Sequence, residues 1–111
     1  MAQDRTAYIE SRIFNALFSG LKKEGWLPAF IDTSDEGGWT PVKSVAAAKR
    51  EFESVDMATI RVQKNGRTHG ILLVAGNGID LISDYGYTEG DPDGFVALMD
   101  RLIDEIAAKY E

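Results

Sequence analysis

The chain has 111 residues, of which 44% are hydrophobic and 27% are charged, as in an ordinary soluble globular protein. Its net charge of −6 disfavours direct binding to nucleic acid, and its lack of cysteine excludes disulfides and cysteine-bound metals. No apolar run reaches the roughly 20 residues of a membrane span, and the N-terminus lacks the apolar region of a signal peptide. We therefore expect a single cytoplasmic domain over residues 1–111, without membrane association.

The first predicted element is a helix over about residues 5–24. Asp4 or Thr6 can cap its start, and Gly25 can adopt the left-handed conformation that ends it. Trp26 follows and is expected to pin the helix to the sheet. The apolar positions recur every three or four residues and form one core-facing stripe. This stripe comprises Ile9, Ile13, Phe14, Leu17, Phe18 and Leu21.

The next two elements are a strand and a short helix. The strand covers about residues 27–32, and an edge position is favoured because Pro28 cannot donate a ladder hydrogen bond. The helix is predicted to begin with Thr40 as its N-cap and Pro41 as its first residue, and to end near Glu53.

From Met57 onward the apolar period changes to two, which predicts strands. Asn65-Gly66 predicts a hairpin turn between the first strand and a central strand over about 69–75, and a third strand covers about 79–84. A last helix is predicted over about 94–109, capped by Asp91 or Asp93. The order α-β-α-β-β-β-α predicts an α+β domain whose antiparallel sheet of three to four strands carries the helices on one face.

The segment Gly76-Asn77-Gly78 raises the question of a phosphate site. A dinucleotide-binding fingerprint needs a third glycine and a helix directly after the strand, whereas another predicted strand follows here. The glycines are therefore interpreted as a turn. Asp80 and Asp84 are predicted to lie on one strand face about 13 Å apart, too far to share a metal through strand geometry alone. We expect no cofactor and no metal.

His69 is the single histidine of the chain. A nucleophilic triad with Ser83 and Asp84 can be imagined, but no nucleophile elbow accompanies it, so His69 is interpreted as a solvated strand residue. No catalytic residue is assigned. The enzyme alternative is a metal-dependent activity in which Asp80 or Asp84 serves as general base or ligand.

The run GNGIDLISDY, with the apolar strand before it and the helix after it, resembles small uncharacterised α+β proteins carried by bacteriophages and plasmids. The resemblance covers about residues 54–108 and is strongest in the pattern G-N-x-x-D-x-I-S-D-Y. It implies a fold and a mobile-element origin. It transfers no activity and no functional residue.

The acidic excess lies in the last third of the chain. Residues 1–78 carry 10 basic and 9 acidic side chains, a balance of +1, whereas residues 79–111 carry 2 basic and 9 acidic, a balance of −7. On a helical wheel four of these carboxylates fall within a ~40° sector opposite the apolar face. They are Asp93, Asp100, Asp104 and Glu111.

This stripe has two interpretations. It is a solvated helix face, or, together with Glu89 and Asp91, it binds a basic protein such as a nucleic-acid-binding partner that the chain inhibits. A second candidate surface comprises the aromatic residues Trp39, Tyr85 and Tyr87, which are predicted to lie in or beside loops. The remaining alternative is a phage structural or accessory protein that forms a homodimer or larger homo-oligomer, with the edge strand at 27–32 pairing between chains.

Overall fold

Helices and strands follow one another along the chain largely as the hydrophobic periodicity predicts, and the α+β fold class is confirmed. The computed structural model describes residues 2–33, 38–76, 78–86 and 90–110, except for the side chains of residues 2–6 and 79. The helices are α1 (Ala2–Lys23), α2 (Val45–Glu53) and α3 (Phe95–Tyr110). The strands are β1 (Leu27–Asp32), β2 (Thr40–Pro41), β3 (Met57–Lys64), β4 (Arg67–Val74) and β5 (Ile82–Tyr85).

Within the described ranges the strands form one antiparallel sheet of five strands in the order β2-β1-β3-β4-β5. Its centre is the predicted hairpin of β3 and β4. Asn65 and Gly66 have φ values of 50° and 81°, the two left-handed conformations that a type I′ turn requires. The hairpin pairs Ile60 with Ile71 and thereby fixes which side chains face the core.

The core lies on one face of this sheet. Alternate residues of β3 and β4 are buried in the same apolar cluster as the inner faces of the three helices, so the helices cover a single face. The predicted stripe of α1 belongs to this cluster. Five of its residues are fully buried, and Ile9 packs at the margin of the cluster; the five are Ile13, Phe14, Leu17, Phe18 and Leu21.

Helix α1 ends as the sequence predicts. Gly25 has a φ of 91° and donates to the Lys22 carbonyl at 3.0 Å, while the Trp26 N–H donates to the Leu21 carbonyl at 2.9 Å. These two bonds satisfy carbonyls that the helix end leaves free. They turn the chain so that Trp26 enters the core with only 2% of its surface exposed.

The boundary of α2 and the edge position of β1 were predicted wrongly. Thr40-Pro41 forms β2, which pairs with Phe30 and Ile31, and α2 starts later, at Val45, with Ser44 as its N-cap. Since β2 occupies one side of β1 and β3 the other, β1 is an inner strand. Pro28 is accommodated where the β1–β3 register shifts between Pro28 and Phe30, because such an irregularity needs no ladder donor there.

Two further boundaries differ from the prediction. Helix α1 already includes Ala2, so the backbone of Asp4 and Thr6 lies inside the helix and not at its N-cap position. Gly78–Asp80 form a 3-10 turn, and β5 therefore begins at Ile82. Among the helices that the structure describes, none combines the length and the apolar character needed to cross a bilayer.

Candidate functional site

The last strand and the last helix meet at one edge of the molecule through Tyr85. Tyr85 pairs with the buried residue Ile71, and its side chain therefore lies on the helix side of the sheet. Its hydroxyl donates a hydrogen bond to the Asp100 carboxylate of α3. This bond, partial burial and the nearby negative charges raise the pKa of Tyr85 to about 12.

Two more carboxylates act on the same hydroxyl through their charge. The negative charges of Asp84 and Asp104 also contribute to the raised pKa of Tyr85. We call Asp84, Asp100 and Asp104 the acidic edge. All three are exposed, and no lysine or arginine of the described residues lies within salt-bridge distance of them.

Asp84 also has a structural role at this edge. Its Oδ1 accepts a hydrogen bond of 2.8 Å from the backbone N–H of Tyr85. Strand β5 is the last strand of the sheet, and an unpaired N–H on such a strand invites pairing with another chain. The Asp84 carboxylate satisfies this donor, which makes β5 less suited to strand addition.

Asp93 does not belong to the predicted stripe on α3. It precedes the helix, its side chain is 10% exposed, and its Oδ2 lies 2.7 Å from Nε2 of His69. The hydrogen bond with His69 lowers the pKa of Asp93, and a bond from the Phe95 N–H acts in the same direction. The sequence prediction failed because a helical wheel assigns a direction to Asp93 that only a helical residue would have.

Asp91 is likewise occupied by the start of α3. Its two carboxylate oxygens accept hydrogen bonds from the N–H groups of Val96 and Ala97, at 2.9 and 3.1 Å. These are donors that the first turn of a helix leaves free, so the prediction of a cap at Asp91 or Asp93 is confirmed at both residues. Neither carboxylate is fully available to a partner.

His69 is a core residue, contrary to the interpretation as a solvated one. It is 8% exposed and stacks on Phe95, with ring centroids 4.1 Å apart and planes inclined by 4°. The Trp26 ring contacts both rings edge-on. The sequence contained a signal for this placement, because His69 is in phase with the core residues Ile71 and Leu73.

The imagined triad is therefore not assembled. His69 faces the helices and pairs with Asp93, whereas Asp84 lies opposite Leu72, which alternates with the core residues of β4. Asp80 lies in the 3-10 turn before β5, so the prediction that Asp80 and Asp84 lie on one strand face is wrong. In the described part of the chain, no three histidine or acidic side chains converge in a way that could hold a metal ion.

Trp39 and Tyr85 lie on opposite faces of the sheet and do not form one aromatic surface. Trp39 is 37% exposed, and the Arg61 guanidinium carbon lies 4.0 Å from its ring centroid. Arg61 is exposed on β3 between the buried residues Ile60 and Val62, so this pair lies on the outer face of the sheet. The other predicted contact residues Tyr87, Glu89 and Glu111 lie outside the described residues.

Gly76 and Gly78, which raised the question of a phosphate site, contact an internal carboxylate. The backbone N–H groups of Gly76 and Gly78 both donate to Oε2 of Glu10, at 2.8 and 2.9 Å. Glu10 lies on α1 and is 8% exposed. The two N–H groups thus bind one anionic oxygen, which belongs to a side chain of the same protein, although the sequence was interpreted as a turn without an anion site.

No family model matches the chain, and neither does any curated protein or solved structure.

Proposed function

We propose that this protein is a small non-catalytic binding factor that acts in the cytoplasm and presents its acidic edge to a basic protein. The observation that carries the proposal is the exposure of Asp84, Asp100 and Asp104, whose charges all act on the Tyr85 hydroxyl, with no cation of the described residues bound to them. Two of these residues belong to α3 and one to β5, so the cluster exists only in the folded chain.

Such a surface accelerates the association of this protein with a positively charged partner. Asp100 and Asp104 lie one helical turn apart, about 6 Å along the axis. Carboxylates at this spacing create a local negative potential, which accelerates the encounter with a positive surface and selects against acidic partners. A nucleic-acid-binding protein has such a positive surface. If the acidic edge occupies that surface, the partner can no longer bind nucleic acid. The resemblance to proteins of phages and plasmids favours a host target of this kind.

The rigid mounting of the carboxylates supports binding over a purely solvating role. Asp100 is held by the Tyr85 hydroxyl and Asp84 by the Tyr85 N–H, so both lose little rotamer freedom when a partner arrives. A solvated helix face needs no such contacts. Arg101 also lies on this part of α3, but it forms ion pairs with other residues. Its guanidinium nitrogens lie 3.9 Å from a carboxylate oxygen of Glu24 and 3.8 Å from one of Glu105.

The test compares charge reversal on two surfaces. Proteins captured from the native host cytoplasm by the wild-type chain are identified by mass spectrometry, and their association rates are measured at several salt concentrations. The variant Asp100→Lys/Asp104→Lys is expected to lower the association rate at least tenfold and to weaken its salt dependence. The control Glu51→Lys/Glu53→Lys makes the same change in net charge on exposed positions of α2 and should have a much smaller effect.

Unchanged affinity and unchanged salt dependence in Asp100→Lys/Asp104→Lys would refute the proposal. An equal loss in the two variants would also refute it, because that result would assign the effect to net charge and not to the acidic edge. Thermal unfolding of each variant shows that the comparison is made between folded proteins.

A further inference from the structure

The outer face of the sheet, opposite the helices, contains a groove. It has a volume of about 470 Å³, within the range of small-molecule sites. Its walls combine two aromatic rings with hydrogen-bonding side chains. The residues that define this outer-face groove are Phe30, Trp39, Thr59, Arg61, Gln63 and Thr68.

Arg61 provides the groove with a positive charge. Its guanidinium stacks over the Trp39 ring, and no carboxylate of the described residues lies within salt-bridge distance of it. Stacking occupies a face of the guanidinium plane and leaves its N–H donors, which point outward in that plane, available. A fork of two N–H groups matches the two oxygens of a carboxylate, and such bidentate pairs are the strong, directional ones.

The floor of the groove is flat because β4 has a glycine there. Gly70 pairs with Arg61 across the sheet, and a Cβ at this position would lie 3.3 Å from the Thr59 methyl group. The next position along this row is Gly86, which donates its N–H to the Gly70 carbonyl at 2.8 Å. Gly70 thus leaves a shallow floor beside the aromatic walls, and Gly86, its neighbour across the sheet, adds no side chain next to it.

We propose that the outer-face groove binds a small planar organic carboxylate. The carboxylate is held by the Arg61 guanidinium, and the flat apolar body of the ligand packs against Phe30 and the exposed part of Trp39. The charge of the groove decides the ligand class, since Arg61 has no carboxylate partner among the described residues and attracts an anionic group at short range. This inference is independent of the proposed function, because it depends on Arg61 and the aromatic rings beside it and not on Asp100 and Asp104.

The test uses matched pairs of probes that differ only in the anionic group. The full-length protein is titrated with 1-naphthoate and with 1-naphthamide, and binding is followed through the NMR shifts of the Trp39 indole N–H and the Gly70 amide. We expect saturable naphthoate binding that perturbs both signals. The amide is expected to bind at least tenfold more weakly because it cannot form the charge-assisted fork.

Three variants separate the contributions. Arg61→Gln should weaken naphthoate binding about tenfold and leave naphthamide binding unchanged, while Trp39→Ala should weaken both. Arg50→Gln removes the same charge from an exposed site on α2 and serves as the control. Equal binding of the acid and the amide, equal losses in the two arginine variants, or no saturable shift at millimolar naphthoate would each overturn the proposal. Because Arg61 is an exposed residue, Arg61→Gln is expected to fold normally.

Discussion

Replacing Glu10 tests how the glycine segment after β4 is held. The Glu10 carboxylate accepts hydrogen bonds from the N–H groups of Gly76 and Gly78, and it joins α1 to a segment 66 or more positions away in the chain. Both bonds end on the same oxygen, Oε2. Glu10→Gln can keep both bonds through its one carbonyl oxygen but loses the negative charge, whereas Glu10→Ala removes the acceptor itself.

The two substitutions differ in expected cost. A hydrogen bond to a charged group contributes about 1.5–3 kcal/mol and a neutral one about 0.5–1.5 kcal/mol, so Glu10→Gln should lower the free energy of unfolding by about 2 kcal/mol. Glu10→Ala should cost more, about 3–4 kcal/mol, because the half-buried Gly78 N–H then lacks an acceptor. Water can replace the acceptor only at the exposed residue Gly76.

Urea unfolding followed by circular dichroism measures these free energies. For a chain of this size about 1 kcal/mol corresponds to about 4 °C, so the melting temperature should fall by about 8 °C in Glu10→Gln and about 12–16 °C in Glu10→Ala. Glu51→Ala, at an exposed helical position, corrects for the helix propensity of alanine. If both Glu10 variants unfold within about 0.5 kcal/mol of the wild type after this correction, the anchoring role is wrong.

Three further predictions concern individual side chains. Because the His69 hydrogen bond lowers the pKa of Asp93, the charged carboxylate should stabilise the fold above about pH 4 and lose this effect as the pH falls further. Urea unfolding of Asp93→Asn should therefore show lower stability at neutral pH and a weaker acid dependence; an unchanged acid dependence contradicts this. Tyr85, with a pKa of about 12, should contribute stability below about pH 10 that is lost towards pH 12, and Asp100→Asn should bring its pKa towards about 10 in a tyrosinate absorbance titration. An identical titration in that variant would disprove the hydrogen bond. Trp39 should provide the fluorescence that acrylamide quenches, so Trp39→Phe should leave only the unquenched emission of the buried tryptophan; a blue, unquenched Trp39 would refute its exposed position.

Local sequence patterns correctly predicted those elements in which a single physical requirement strongly limits the residue types that can occur. The period of α1 follows from its apolar stripe, and the β3–β4 hairpin from Asn65-Gly66, because few residues tolerate two successive left-handed conformations. Thr40-Pro41 was misassigned as the start of a helix. The same two residues form a short strand here because β1 provides a pairing partner for them. A pattern read from residues 40 and 41 and the helix after them contains no information about pairing with β1.

The candidate site was predicted only in part, for a similar reason. Asp100 and Asp104 could be assigned to one exposed helix face, since both lie within α3. Asp93 could not, because its contact is with a histidine 24 positions earlier in the chain. The outer-face groove also escaped prediction, since it brings together side chains from several strands and a loop residue.

The amino-acid sequence alone determined the existence of the three helices, the turn of the central hairpin and the acidic balance of the last third, because these depend on side-chain periodicity, turn chemistry and composition. Only the tertiary structure decided which carboxylates remain exposed, which anion the glycines bind and where Arg61 meets Trp39. These outcomes depend on contacts between residues far apart in the chain. Hydrogen bonds and ring contacts act over a few ångströms, and folding alone brings such residues within that range.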